Sequence, residues 1–326
     1  MRTRLTERLR IEHPVVLGPM GTAAGGALAA AVTEAGGLGL IGAGYGDADW
    51  LEREFAAAGE ARVGCGFITW SLARRPELLQ QVLRHSPAAI MLSFGSPLAF
   101  APLVRSSGTP LICQVQMLAH VREAVEAQAD IIVAQGSEAG GHGASRATLT
   151  LVPEIADYLA RAAPDTLLLA AGGIADGRGL AAALMLGADG VLVGSRFWAS
   201  EEALVPQSFK AAAVAAAGDD TIRTTVVDIV RKIDWPKPFT ARVLKTGFTM
   251  QWHGREQELA TPAVLEREMP RYLDAAARGD AMNTGVLVGE AVALIREVQP
   301  AGAILRQIVG EAEALLGQRA PSVLTA

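Results

Sequence analysis

Short apolar runs alternate along the first two hundred residues with segments whose apolar positions recur three or four apart. The runs are PVVLG (14–18), LGLIGAG (38–44), RVGCGFIT (62–69), AAIMLSF (88–94), PLICQVQ (110–116), IIVAQG (131–136), TLLLAAGG (166–173) and GVLVGS (190–195). They are apolar almost throughout, the pattern of parallel strands with both faces covered. Between them, GALAAAVTEAGG places Leu28, Val32 and Ala35 on one helical face and stops at glycine, and in VREAVEAQAD Val121, Ala124 and Val125 make the apolar stripe. Eight strands alternating with helices predict an α/β protein, a (β/α)8 TIM barrel over residues 1–204. The runs are about 20 to 26 residues apart, except that about 35 separate the sixth from the seventh. The surplus is a glycine-rich loop, placed where a barrel carries its active site.

The pattern breaks at about residue 205. Alanine-rich helix gives way to TTVVDIV and then to DWPKPFTARVLKTGFTMQWHG, rich in prolines and aromatics. This predicts a smaller cap domain over 205–282 with some irregular β structure, in which Trp235, Phe239 or Trp252 form an apolar wall over the barrel mouth. The tail, 283–326, reads as two amphipathic helices separated by Pro300 that pack back on the barrel.

Composition narrows the class. Half of the 326 residues are hydrophobic and 19% are charged, which fits a folded globular protein. The net charge is −5 with no basic block, so nucleic acid is not an expected partner. Cys65 and Cys113 each lie inside an apolar run and read as core residues in a reducing compartment. The charged N-terminus is unlike a signal peptide and no apolar run approaches membrane-spanning length, so a cytoplasmic monomer or homodimer with no membrane contact is expected.

The candidate chemistry lies in the loops. AQGSEAGGHGAS (134–145) sets His142 among four glycines, either as a surface histidine in a flexible turn or as a base held close to a small molecule. GLGLIG (37–42) matches a dinucleotide fingerprint, but its glycines follow a helix and lie within a strand, which argues against that use. Glu138 and His142 have the i,i+4 spacing of a metal pair, but the glycines between them oppose a helix, and no metal is expected. AAGGIADGRG (170–179) and GADGVLVGSRF (187–197) end the seventh and eighth strands in Gly172-Gly173 and Gly194-Ser195. Either they are ordinary turns, or they hold a phosphate between them, as barrels often do there. GPMGTAAGG (18–26) offers small residues against which a flat ring could lie.

Together HPVVLGPM, AGGLGLIGAGY, IIVAQGSEAGGHG, LLLAAGGIADGRGLAAALMLGADGVLVGSRF and ARVLKTGF resemble the nitronate monooxygenase (2-nitropropane dioxygenase) family, FMN-dependent TIM-barrel enzymes. The resemblance implies FMN as cofactor and oxidation of alkyl nitronates, or their parent nitroalkanes, by O2 to a carbonyl compound and nitrite. It places Met20, Gly21 and Thr22 against the flavin and Thr69, Gln114 and Gln135 near its ring and ribityl chain. Gly140 would approach the cofactor; Ala171, Gly172, Gly173, Gly194 and Ser195 would cradle its phosphate, and His142 would be the catalytic histidine. The chain has Gln114 where the family often has lysine, Gly143-Ala144 after the histidine, and Gly289-Glu290 where Gly-Gln is common. Those departures leave open an FMN-dependent enoyl-thioester reductase or quinone reductase using NAD(P)H, and a non-catalytic flavin-binding barrel.

Overall fold

The computed structural model describes residues 1–319 and 322. Its strands are β1 (Val15–Leu17), β2 (Leu40–Gly42), β3 (Gly64–Ile68), β4 (Ile90–Ser93), β5 (Leu111–Val115), β6 (Ile131–Gln135), β7 (Gly141–Gly143), β8 (Leu167–Ala171), β9 (Gly190–Val193), β10 (Thr221–Thr224) and β11 (Thr240–Leu244). Eight of them form one parallel sheet in the order β1-β9-β8-β6-β5-β4-β3-β2, and a parallel bridge between Val16 and Leu38 brings its two edges together. This is the expected TIM barrel. Each of the eight apolar runs supplies one strand.

The strands are buried on both sides because neighbouring residues serve two cores. Val16, Leu40, Met91, Ile112, Val133 and Leu169 fill the barrel interior, while Val15, Leu17, Ile41, Ile90, Leu111 and Leu168 pack outward under the helices. Cys65 and Cys113 belong to the outer layer. Burial pushes both thiols up, Cys113 to about 12, which suits core residues rather than nucleophiles. The charged N-terminus forms the helix Arg4–Leu9, and its Leu5 and Leu9 join the interior cluster at the bottom of the barrel.

β10, β11 and β7 form a second, antiparallel sheet. β11 pairs with the glycine-rich loop after β6, with Ala241 opposite His142. Val226, Val230, Val243, Phe248, Trp252 and Tyr272 make a separate apolar cluster there. The tail corrects the sequence reading in one half. The helix Ala301–Ala314, entered at Pro300, packs on the barrel helices Gly177–Met185 and Gly26–Glu34. Residues 283–296, expected to be helical, are extended with a 3₁₀ turn at Glu290–Leu294. Their backbone N–H groups are used elsewhere: Gly289 donates to Ser195 Oγ and Glu290 to the Glu138 carbonyl, both at 2.9 Å. Among the described residues no helix is long and apolar enough to cross a membrane.

Candidate active site

A cavity of about 610 Å³ opens over the C-terminal strand ends of the barrel, within the size range of small-molecule and cofactor sites. Met20, Gly21 and Thr22 line it from the loop after β1, Gln114 from β5 and Gln135 from β6. Gly140 and His142 enter from β7 and the turn before it; Ala171, Gly172, Gly173, Gly194 and Ser195 come from the ends of β8 and β9. Thr69 is the exception. It is buried at the start of the short helix Thr69–Leu72, and the wall at that strand end is Gly66, Phe67 and Ile68. The chain turns into helix at Thr69, whose side chain lies beside Gly95.

The strand-end glycines are there for backbone reasons. Gly172 and Gly173 have φ of +100° and +75°, which side chains rarely tolerate. A Cβ on Gly172 would also stand 3.0 Å from the Gly136 carbonyl and from Thr148 Oγ1. Ser195 Oγ accepts the Gly289 N–H, so its own proton is available to an acceptor in the cavity. Asp176 caps the helix Gly177–Met185 through Arg178 N and Gly179 N.

His142 is buried, and its Nε2 lies 3.0 Å from both carboxylate oxygens of Asp228. Asp228 sits on the helix Val226–Val230, is 3% exposed, and also accepts from Arg231 Nη2 at 3.0 Å. With a carboxylate as partner, Nε2 is assigned as the donor, which leaves the Nδ1 lone pair free in the neutral ring. Burial holds the imidazole below the usual histidine value; Asp228 opposes this, and Arg231 and Arg223 add to it. The ring is therefore neutral at pH 7. Trp235 stacks on it with centroids 3.4 Å apart and donates Nε1–H to the Tyr45 hydroxyl at 2.9 Å. Of the aromatics expected over the mouth, Trp235 lines the cavity, Phe239 packs against Phe94, and Trp252 belongs to the separate apolar cluster with Val226, Val243 and Phe248.

The loop bearing His142 is fixed from several sides. Gln135 Oε1 accepts from Gln114 and Gln116, both at 2.9 Å, and Gln135 Nε2 donates to the His142 carbonyl at 3.1 Å. Arg223 and Arg242, opposite each other on β10 and β11, both donate to the Ser137 carbonyl. Burial and the neighbouring Arg242 push Arg223 down to about 10. Glu290 answers Arg242 at 2.8 Å and does not line the cavity, so its substitution for glutamine concerns this support. Glu138, the other half of the apparent metal pair, accepts from Thr148 N and Oγ1 at the start of the helix Thr148–Ala162. Gly140 passes so close to the 286–290 segment that a Cβ would stand 2.5 Å from Gly289 N. Gly140→Ala is expected to cost about 1–3 kcal/mol through this overlap, read as a fall in thermal midpoint.

Asp228, Arg231, Tyr45 and Gln116 escaped the sequence reading. Asp228 left one signal, a lone acid inside the apolar run VVDIV. A buried acid needs a partner, and its partner here is 86 residues away in sequence.

The model of the family described as nitronate monooxygenase matches residues 2–62 and 73–311. The chain belongs to this family. The unmatched stretch, 63–72, contains Thr69, the one assigned residue that stands off the cavity. Among curated relatives, the nitronate monooxygenase npaC of Metarhizium robertsii is 34% identical over 93% of this chain and 91% of its own length. Among solved structures, FabK from Thermotoga maritima has a TM-score of 0.85 at 32% identity, covering 99% of both chains. Nitroalkane oxidase from Streptomyces ansochromogenes has a TM-score of 0.81 at 26% identity, covering 99% of this chain and 100% of its own. This nitronate monooxygenase family member is a flavin oxidoreductase.

Proposed function

We propose that the protein binds FMN and oxidises alkyl nitronates, together with neutral nitroalkanes, with O2 to a carbonyl compound and nitrite. The observation that carries the reading is the buried His142–Asp228 pair, which reaches a cavity whose far side is backbone glycine. The residues fit a flavin mononucleotide. Gly172, Gly173, Gly194 and Ser195 leave room for one phosphate against the backbone, and a flat ring has Met20, Gly21 and Thr22 to lie on. When bound, the flavin supplies the redox chemistry, accepting electrons from the substrate and passing them to oxygen.

The chain's own residues orient the substrate and handle its proton. A neutral imidazole accepts the α-proton of a nitroalkane at Nδ1, and Asp228, already on Nε2, stabilises the resulting imidazolium. Arg231 holds Asp228 in place and keeps a cation beside the site where negative charge develops. A preformed nitronate needs no proton removed, so His142 then acts only in positioning. The aromatic faces of Trp235 and Phe94 pack beside the imidazole and restrict water there.

The likeness to FabK favours a second reading, reduction of an enoyl thioester with NAD(P)H. One set of measurements separates the two. Denatured protein is expected to release one FMN per chain; release of FAD would overturn the cofactor assignment. Mixed anaerobically with propyl-2-nitronate, the holoprotein is expected to lose its oxidised flavin absorbance rapidly. Bleaching by NADH or NADPH with none by the nitronate would establish the reductase instead.

A further inference from the structure

The polar groups of the cavity do not surround it evenly. His142, Arg231 and Tyr45 stand together, with Gln114 and Gln135 at the strand ends. Another part of the wall is built from Leu204, Val205, Pro206, Phe209, Leu273 and Ala276. Leu204 N–H donates to the Ala23 carbonyl at 3.0 Å, which ties the 204–206 loop to the loop after β1. The helix Pro262–Ala277 brings Tyr272, Leu273 and Ala276 to the cavity from one face. The Tyr272 hydroxyl accepts the Gly285 N–H at 3.2 Å, which holds its oxygen against that backbone.

Charged side chains near this wall are engaged elsewhere. Lys210 Nζ donates to the Ser200 and Glu201 carbonyls, Glu202 accepts from Ala301 N, and Arg278 pairs with Asp274. Leu204 and Leu273 are nonetheless each 49% exposed. Large apolar side chains left open on a cavity wall suit an aliphatic ligand. The wall is continuous with the cavity that holds His142, so one molecule can reach both.

We infer that this wall is a tail-binding subsite, and that nitro compounds with an extended unbranched alkyl chain are turned over more efficiently than ethyl or propyl compounds. The inference rests on the nitronate chemistry proposed above for His142. The head group is processed beside the imidazole while the chain lies along Leu204, Val205, Phe209 and Leu273.

The test is a homologous series of primary nitronates, from ethyl to decyl, turned over by the holoenzyme. kcat/KM is expected to rise roughly fourfold per methylene until the wall is covered, the yield of burying each CH2. Ala276→Trp, which fills the lobe, is expected to lower the decyl-to-ethyl ratio by at least about tenfold. Leu273→Ser, at an exposed position, provides the same ratio if the tryptophan variant does not fold. Binding of 1-octanol against ethanol, followed by perturbation of the flavin spectrum, reads the subsite without any reaction. A flat series with active ethyl nitronate overturns the subsite and leaves the reaction standing. Tight octanol binding that Ala276→Trp weakens, with no nitronate oxidised, keeps the subsite and overturns the reaction.

Discussion

His142→Asn is expected to lower turnover of a neutral nitroalkane by about 10²–10⁴-fold, the usual contribution of a positioned base. Asparagine keeps a polar side chain of similar reach but cannot take a proton near neutral pH. FMN is expected to stay bound, because the glycines at the ends of β8 and β9 are untouched. Turnover of the matching preformed nitronate should fall much less, since its α-proton is already gone. Steady-state kinetics on the nitroalkane and its nitronate, at equal flavin content, check the split. Equal losses on both would make His142 a positioning residue, and loss on neither would return it to a bystander. The pH profile gives a second check. The base works deprotonated and its burial holds it below the usual 6.5, so the acid limb of kcat/KM on nitroalkanes should fall below pH 6.5.

Asp228→Asn is expected to be nearly as damaging as loss of the histidine, about 10²–10⁴-fold on the neutral nitroalkane. The carboxylate accepts from Nε2 and so leaves Nδ1 unprotonated. An amide can instead donate to Nε2, which puts the proton on Nδ1 and blocks the base. A tautomer error of this kind costs a serine protease triad about 10⁴-fold. The variant also removes the group that opposes the burial of the imidazolium, so any remaining acid limb should move to still lower pH. The double variant His142→Asn/Asp228→Asn should be little worse than either single one, because the two side chains act as a unit. Additive losses would show that Asp228 acts elsewhere, for instance only by holding Arg231.

The barrel was legible from residues 14–195 because each strand needs only its own composition to declare itself. Both faces are buried, so each run is apolar throughout, and the intervening helices mark their own period. The glycines of the strand-end loops were legible for a similar local reason, since φ near +100° or +75° calls for glycine whatever surrounds it. His142 stood out by its loop, and the family resemblance gave it a role.

What the tertiary structure decided is everything that depends on a partner distant in sequence. Gly141–Gly143 has no strand propensity and becomes β7 only because β11 offers it hydrogen bonds. VLVGEAVALIREV looks amphipathic, yet its backbone donors go to Ser195 and Glu138, and an extended path replaces the first expected helix of the tail. Thr69 sits at the end of the right strand but does not line the cavity, a matter of how the chain turns after Ile68. Asp228 was one acid among valines until folding brought it within 3.0 Å of His142. Local propensity and burial pattern are properties of short windows, and the sequence carries them directly. Pairing across 86 residues is a property of the closed fold, and only the assembled structure reveals it.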